Sequence, residues 1–307
     1  MKLVFILVAV FLIGLAVPSY SWTKRNVKEI ETFYNSKLSP IIMIPGSSAT
    51  ENRFDGLVRK LNQDRRGAKH SLLKVKVWNN GRITFEGKIK KNDNEPIIVI
   101  GFENNNDGYS NIKKQAKMMN QAFEALQEKY NFNNFKGLGH SNGGLIYTAF
   151  IENYLSDYDV KINSLMTIGT PYNFTETNIK NKSVMLADFI AAKKNIPSTL
   201  HVYSVAGTIT YDSDELVPDA SVSAGKYIYQ NQAKSYTEIT VTGEDAQHSD
   251  LPTNDEVVEL LKSERFNNRL LCEIISHEKF RELLADAEIY VDGIATMRFH
   301  DMNSSLA

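Results

Sequence analysis

The sequence predicts an α/β fold, with a mostly parallel central sheet, helices on both faces and a small cap or insert region. Three observations carry that prediction. Short continuous apolar runs such as Pro40–Pro45 (PIIMIP) and Pro96–Phe102 (PIIVIGF) read as strands buried on both faces. Amphipathic segments separate such runs, the longest being Tyr109–Tyr130, with Ile112, Ala116, Met119, Phe123 and Leu126 along one face. Strand-type and helix-type text then alternates along most of the chain, as in parallel sheets joined by crossover helices.

The elements follow in order. The strand 40–45 ends at the turn Gly46-Ser47-Ser48, and residues 51–63 then carry Phe54, Leu57, Val58 and Leu61 at helical spacing. Leu73, Val75 and Val77 alternate with lysines, Asn80-Gly81 follows, and Ile83 and Phe85 open a second alternating run. That is a hairpin with a tight turn. After the long helix come a short strand Phe135–Gly139, a helix Gly143–Leu155, a strand Ile162–Ile168 and a helix Ser183–Lys194. His201–Ala206 and Tyr236–Val241 complete the strands, and Asp255–Leu261 is the last helix. Residues 23–37 read as a polar connector, 38–263 as the α/β domain and 264–307 as a C-terminal appendage.

Composition removes several function classes. With 307 residues, 42% hydrophobic and 23% charged, and only 8 Pro and 17 Gly, the chain is neither disordered nor fibrous. Thirty-five basic residues against 36 acidic ones, a net charge of -1, argue against a nucleic-acid binder held by bulk charge. The single cysteine, Cys272, excludes an internal disulfide and a cysteine-cluster metal site. The 6 histidines show no HExxH or paired spacing, which argues against a zinc enzyme; no metal or organic cofactor is implied by the sequence.

Residues 1–22 read as a secretory signal peptide or an uncleaved membrane anchor. Lys2 precedes an unbroken apolar or small stretch, Leu3–Val17, and Ser19 and Ser21 stand at −3 and −1 of a cleavage site before Trp22. A spanning helix takes about 20 apolar residues, and this stretch is shorter. The expectation is export, with membrane attachment through residues 3–17 if the stretch is retained.

The motif that carries chemistry is Gly139-His140-Ser141-Asn142-Gly143, between a predicted strand and a predicted helix. In a G-x-S-x-G elbow the glycines let strand and helix approach while the turn pushes Ser141 Oγ into the open. A serine hydroxyl needs a base, and the base needs an orienting acid. The loop after His201–Ala206 supplies four acids, Asp212, Asp214, Glu215 and Asp219. The loop after Tyr236–Val241 supplies one histidine, His248. The chain order nucleophile, acid, histidine suits such a triad. Oxyanion amides are expected from Asn142, which follows the nucleophile, and from Ser47 in the loop after the first strand, with Ser48 in reserve.

These pieces resemble the α/β-hydrolase superfamily and, within it, the bacterial cell-surface hydrolases of the domain-of-unknown-function-915 family. The similarity runs over roughly residues 38–263, through PIIMIPGSSAT, DGLVRKLN, NNGRITFEGKI, PIIVIGFENN, YNFNNFKGLGHSNGGL, SLMTIGTPYN, SDELVP and HSDLPTNDEVVELL. It implies Ser141 as nucleophile, Asp214 as acid by its S-D-x-x-V-P context, and His248 as base. Two features depart from the family pattern: Asn142 stands where Met or Leu often follows the serine, and 264–307 has no counterpart.

The resulting expectation is a serine hydrolase of carboxylic esters, with a small-molecule or lipid ester as substrate. Ester rather than amide is implied by the resemblance alone. The alternatives are a non-catalytic surface-binding protein of the same fold, or an acyltransferase or thioesterase using the same triad. Tyr172, Phe174, Met185, Leu186 and Phe189, in the insert 169–200, offer enough apolar surface to line an acyl pocket, while the many Asn and Lys residues there suit a solvated loop equally well. Glu103–Asp107 is a candidate for the opposite rim.

Overall fold

The computed structural model describes residues 28, 30–63, 69–209 and 212–263. The chain divides into two units, Met1–Val258 and Glu259–Ala307. Residues 1–22 and 264–307, read above as leader or anchor and as appendage, lie outside the described residues. Among the described residues no helix is long and apolar enough to cross a membrane.

Eight strands form one sheet: β1 (Ile41–Ile44), β2 (Leu72–Val77), β3 (Ile83–Gly87), β4 (Ile97–Phe102), β5 (Asn134–His140), β6 (Lys161–Ile168), β7 (His201–Thr208) and β8 (Ser235–Thr242). Their order is β3-β2-β4-β1-β5-β6-β7-β8, and every pairing is parallel except the β2–β3 hairpin. The hairpin turns at Gly81, whose φ of 83° suits glycine. Burial explains the strand chemistry. β1 and β4 are buried at every residue, as their unbroken apolar text requires, whereas the edge strands β3 and β8 are largely open to solvent.

Helices α1 (Asp55–Gln63), α2 (Tyr109–Tyr130), α3 (Asn142–Asn153), α4 (Val184–Ala192) and α7 (Asp255–Lys262) correspond to expected segments; α1 starts four residues inside the segment 51–63, whose first residues form a turn, and the others match within one or two residues. The sequence reading lacks α5 (Asp219–Ser223) and α6 (Lys226–Tyr229), and it takes as connector a region in which residues 30–34 are helical. Phe123 of α2 sits among Phe132, Phe135, Phe150 and Tyr158, with ring centroids 4.9–5.6 Å away.

The insert 169–200 is present, but its apolar residues do other work than expected. Tyr172, Met185, Leu186 and Phe189 are buried in the main core, and Phe174 packs against it. Side chains committed to core packing are not the lining of an open acyl pocket, so that expectation is corrected.

The sheet order also locates the crevice. From β1 the chain runs outward to one side through the hairpin, returns by β4, and then crosses to β5 on the other side. In open parallel sheets, ligands bind beyond the carboxyl ends of the strands at such a switch point. The chain enters at the other end: Asn133 Nδ2 donates to the carbonyls of Phe33 (2.9 Å) and Tyr34 (3.1 Å), beside the start of β5.

Candidate active site

Ser141 stands between β5 and α3 with φ 56° and ψ −127°, a region that non-glycine residues rarely occupy. Such strain persists only where the surroundings over-determine it. Its amide donates to the Ile168 carbonyl (2.8 Å), tying the turn to the end of β6. The flanking glycines are sterically required. A Cβ at Gly139 would lie 2.5 Å from the Gly144 nitrogen, and one at Gly143 would overlap the Ile44 carbonyl oxygen. Gly46 is equally confined, since a Cβ there would come 2.7 Å from Ser141 Cβ.

Of the four candidate acids, one meets the histidine. His248 Nδ1 lies 2.7 Å from Asp214 Oδ2, and both residues are buried. The other carboxylate oxygen, Asp214 Oδ1, accepts from the amides of Leu216 (3.1 Å) and Val217 (2.6 Å). The His248 amide donates to the Asp214 carbonyl (3.0 Å), so the two loops are joined through backbone as well as side chain. Gly169, next to the Ile168 that receives the Ser141 amide, is the neighbour of this pair. A Cβ there would lie 3.1 Å from both His248 Nδ1 and Asp214 Oδ2. Asp212 instead accepts the Asp219 amide through its backbone carbonyl (2.8 Å), and Glu215 accepts from Gln247 Nε2 (2.7 Å).

Asn142 opens α3, where the first amides of a helix have no partner within it. Ser48 is otherwise engaged, its amide donating to the Asn105 carbonyl (2.8 Å). Ser47 precedes it in the loop after β1. The polar residue at 142 has a local reason: Asn142 Nδ2 donates to Asp107 Oδ1 (2.7 Å), which also accepts the Gly108 amide (2.8 Å). Gln115 Nε2 fixes the same rim loop by donating to the carbonyls of Asn104 (2.8 Å) and Asn106 (2.9 Å). Asn105 Nδ2 ties this loop to the loop after β1 through the Ala49 carbonyl (3.0 Å). These bonds hold the loop Glu103–Asp107 against the start of α3 and the loop after β1.

Three neighbours of the site escaped the sequence reading: Asp107 in its contact with Asn142, and His140 and Arg53. His140 is buried, with Nε2 2.9 Å from the His248 carbonyl oxygen. Arg53 Nη2 donates to the Ser249 carbonyl. Burial, then the nearby His248 and Arg53, hold the His140 imidazole well below its usual range, so it is neutral. The only sequence signal was proximity in the chain, since His140 adjoins Ser141 and Arg53 follows the loop after β1.

With this geometry in place, the comparisons identify the lineage. The family described as α/β hydrolases of unknown function (DUF915) matches residues 28–268. The chain belongs to this family. A Lactobacillus plantarum WCFS1 protein provisionally named a cell surface hydrolase is 51% identical, with TM-score 0.68, over 74% of this chain and 90% of that one. A Listeria innocua gene product is 30% identical, with TM-score 0.69, over 76% of this chain and 94% of that one. Among curated proteins, none matches the sequence. The DUF915 match and these two relatives agree with the fold and family resemblance read from the residues.

Proposed function

We propose that the protein is a serine hydrolase of carboxylic esters working through an acyl-enzyme. The observation that carries the reading is the buried His248–Asp214 pair, 2.7 Å apart, in the same site as a strained serine at a strand-to-helix turn. An ionised carboxylate only accepts hydrogen bonds, so it holds the proton of His248 on Nδ1 and leaves the Nε2 lone pair to act as base.

In this mechanism Ser141 Oγ attacks the ester carbonyl as His248 Nε2 takes its proton. The amides of Ser47 and Asn142 stabilise the oxyanion. Collapse of the tetrahedral intermediate breaks the ester C–O bond, and His248 returns the proton to the departing alcohol. Water then attacks the acyl-enzyme by the same route and releases the acid and free Ser141. No metal or cofactor enters these steps. The engagement of the Ser48 amide by Asn105 favours Ser47 as the second oxyanion donor.

The same proposal places the enzyme outside the cell, exported by residues 1–22 and held at the membrane if residues 3–17 are retained. The name of the Lactobacillus relative supports a surface location.

The test is hydrolysis of p-nitrophenyl esters from acetyl to palmitoyl by the wild type and Ser141→Ala. Turnover by the wild type alone supports the reading, and the chain-length optimum sizes the acyl site. Equal rates for both proteins refute it.

A further inference from the structure

A general base works only if its ring is held to a fraction of an ångström, and a misplacement of about 1 Å can cost about a hundredfold in rate. His248 is poorly placed for that by topology alone. It sits on the loop after β8, an edge strand with one neighbour in the sheet. What holds this loop is a set of hydrogen bonds to its backbone. The His248 amide donates to the Asp214 carbonyl (3.0 Å). The next two acceptors along the chain, the carbonyls of His248 and Ser249, each receive a side-chain donor from a distant element. His140 Nε2 reaches the first at 2.9 Å from the end of β5, and Arg53 Nη2 reaches the second from the segment before α1.

The chemistry at His140 is specific. A carbonyl oxygen only accepts, so the nitrogen facing it, Nε2, carries the proton. Nδ1 is then a bare acceptor, and it is buried with no hydrogen-bond partner among the described residues. An orphaned buried nitrogen is costly, and an apolar residue would fill the space without that penalty. The ring also lies 4.9 Å from the His248 ring, tilted by 39°, so it meets both the backbone and the imidazole of the same residue. The groups facing it are His248 itself and the Arg53 guanidinium, and Asp250 in turn faces Arg53.

We propose that His140 and Arg53 are positioning residues that clamp consecutive carbonyls of the His248 loop and so set the imidazole for proton transfer. The inference rests on the ester-hydrolase reading for its kinetic consequence, though not for the clamp itself. Since His140 directly precedes Ser141, the clamp makes base and nucleophile move as one unit.

Four variants test it: His140→Phe and Arg53→Met remove the donors, while His140→Gln and Arg53→Lys keep one. Each is measured for kcat and KM on p-nitrophenyl acetate, for Tm, and for the far-downfield NMR resonance of the proton between His248 and Asp214. The expected result is a fall in kcat of about 10- to 100-fold in H140F and R53M, with KM within about twofold. The resonance shifts in H140F, and both kcat and resonance recover in H140Q and R53K. Wild-type kcat and an unmoved resonance in H140F would overturn the proposal. So would a loss of kcat that merely follows Tm and is not restored by glutamine. If the wild type hydrolyses no ester yet H140F moves the resonance and H140Q restores it, the clamp stands and the hydrolase reading fails.

Discussion

Replacing Asp214 by Asn should nearly abolish activity while leaving the fold intact, and the loop geometry says why. Asp214 Oδ1 accepts two backbone amides, Leu216 at 3.1 Å and Val217 at 2.6 Å, while Oδ2 meets His248 Nδ1 at 2.7 Å. An asparagine must keep its oxygen toward the two amides, because its NH2 there would face two donors. Its NH2 therefore points at His248 Nδ1 and forces that nitrogen to accept. The His248 proton moves to Nε2, where the base should be, and proton abstraction from Ser141 stops. Tautomer inversion of this kind lowers kcat by about 10⁴-fold, or about 5 kcal/mol of transition-state stabilisation. Folding loses much less, about 1–2 kcal/mol, because the backbone amides keep their acceptor. The assay is kcat on p-nitrophenyl acetate for Asp214→Asn and Asp212→Asn, with Tm as control. An Asp214→Asn enzyme within tenfold of wild type, or a larger loss in Asp212→Asn, would refute the reasoning.

Further expectations follow from the surroundings of the elbow. Gly46→Ala puts a methyl 2.7 Å from Ser141 Cβ and 3.3 Å from its Oγ, so nucleophile or oxyanion loop must shift; kcat should fall at least about a hundredfold. Asn142→Leu keeps the amide but loses the bond to Asp107, so kcat should stay within about tenfold while stability drops by about 1 kcal/mol in denaturant titration. Glu152 is buried, and burial pushes its carboxyl up to about 9, with Oε1 lacking a partner among the described residues. Between the ordinary carboxyl range and pH 9, the unfolded chain has lost this proton and the folded protein retains it, so stability declines as pH rises. Glu152→Gln should therefore raise Tm, more at pH 8 than at pH 5; a gain independent of pH would contradict that sign.

Much of this architecture was legible because its signals are local. The runs IIMI and IIVIGF are apolar at every position because β1 and β4 are buried on both faces. The elbow was legible because Gly139 and Gly143 are each required by a backbone contact within a few ångströms. What escaped was either too short or too distant. Helices α5 and α6, of 5 and 4 residues, complete barely one turn each and show no periodicity. The apolar face of the insert looked the same in sequence whether it lined a pocket or joined the core, and Met185, Leu186 and Phe189 joined the core. His140 and Arg53 act on carbonyls 108 and 196 residues away, and a carbonyl leaves no mark in the side-chain text. Asp214 stood apart from Asp212 only through its resemblance context, and the contact with His248 gives that choice a physical ground.

The central claim is that Ser141 is an activated nucleophile, and fluorophosphonate labelling with mass mapping of the modified peptide tests it most directly. The account predicts a single adduct on Ser141, lost in Ser141→Ala and strongly slowed in His248→Ala. Failure to label the folded protein, or an adduct on another residue that persists in Ser141→Ala, would contradict it.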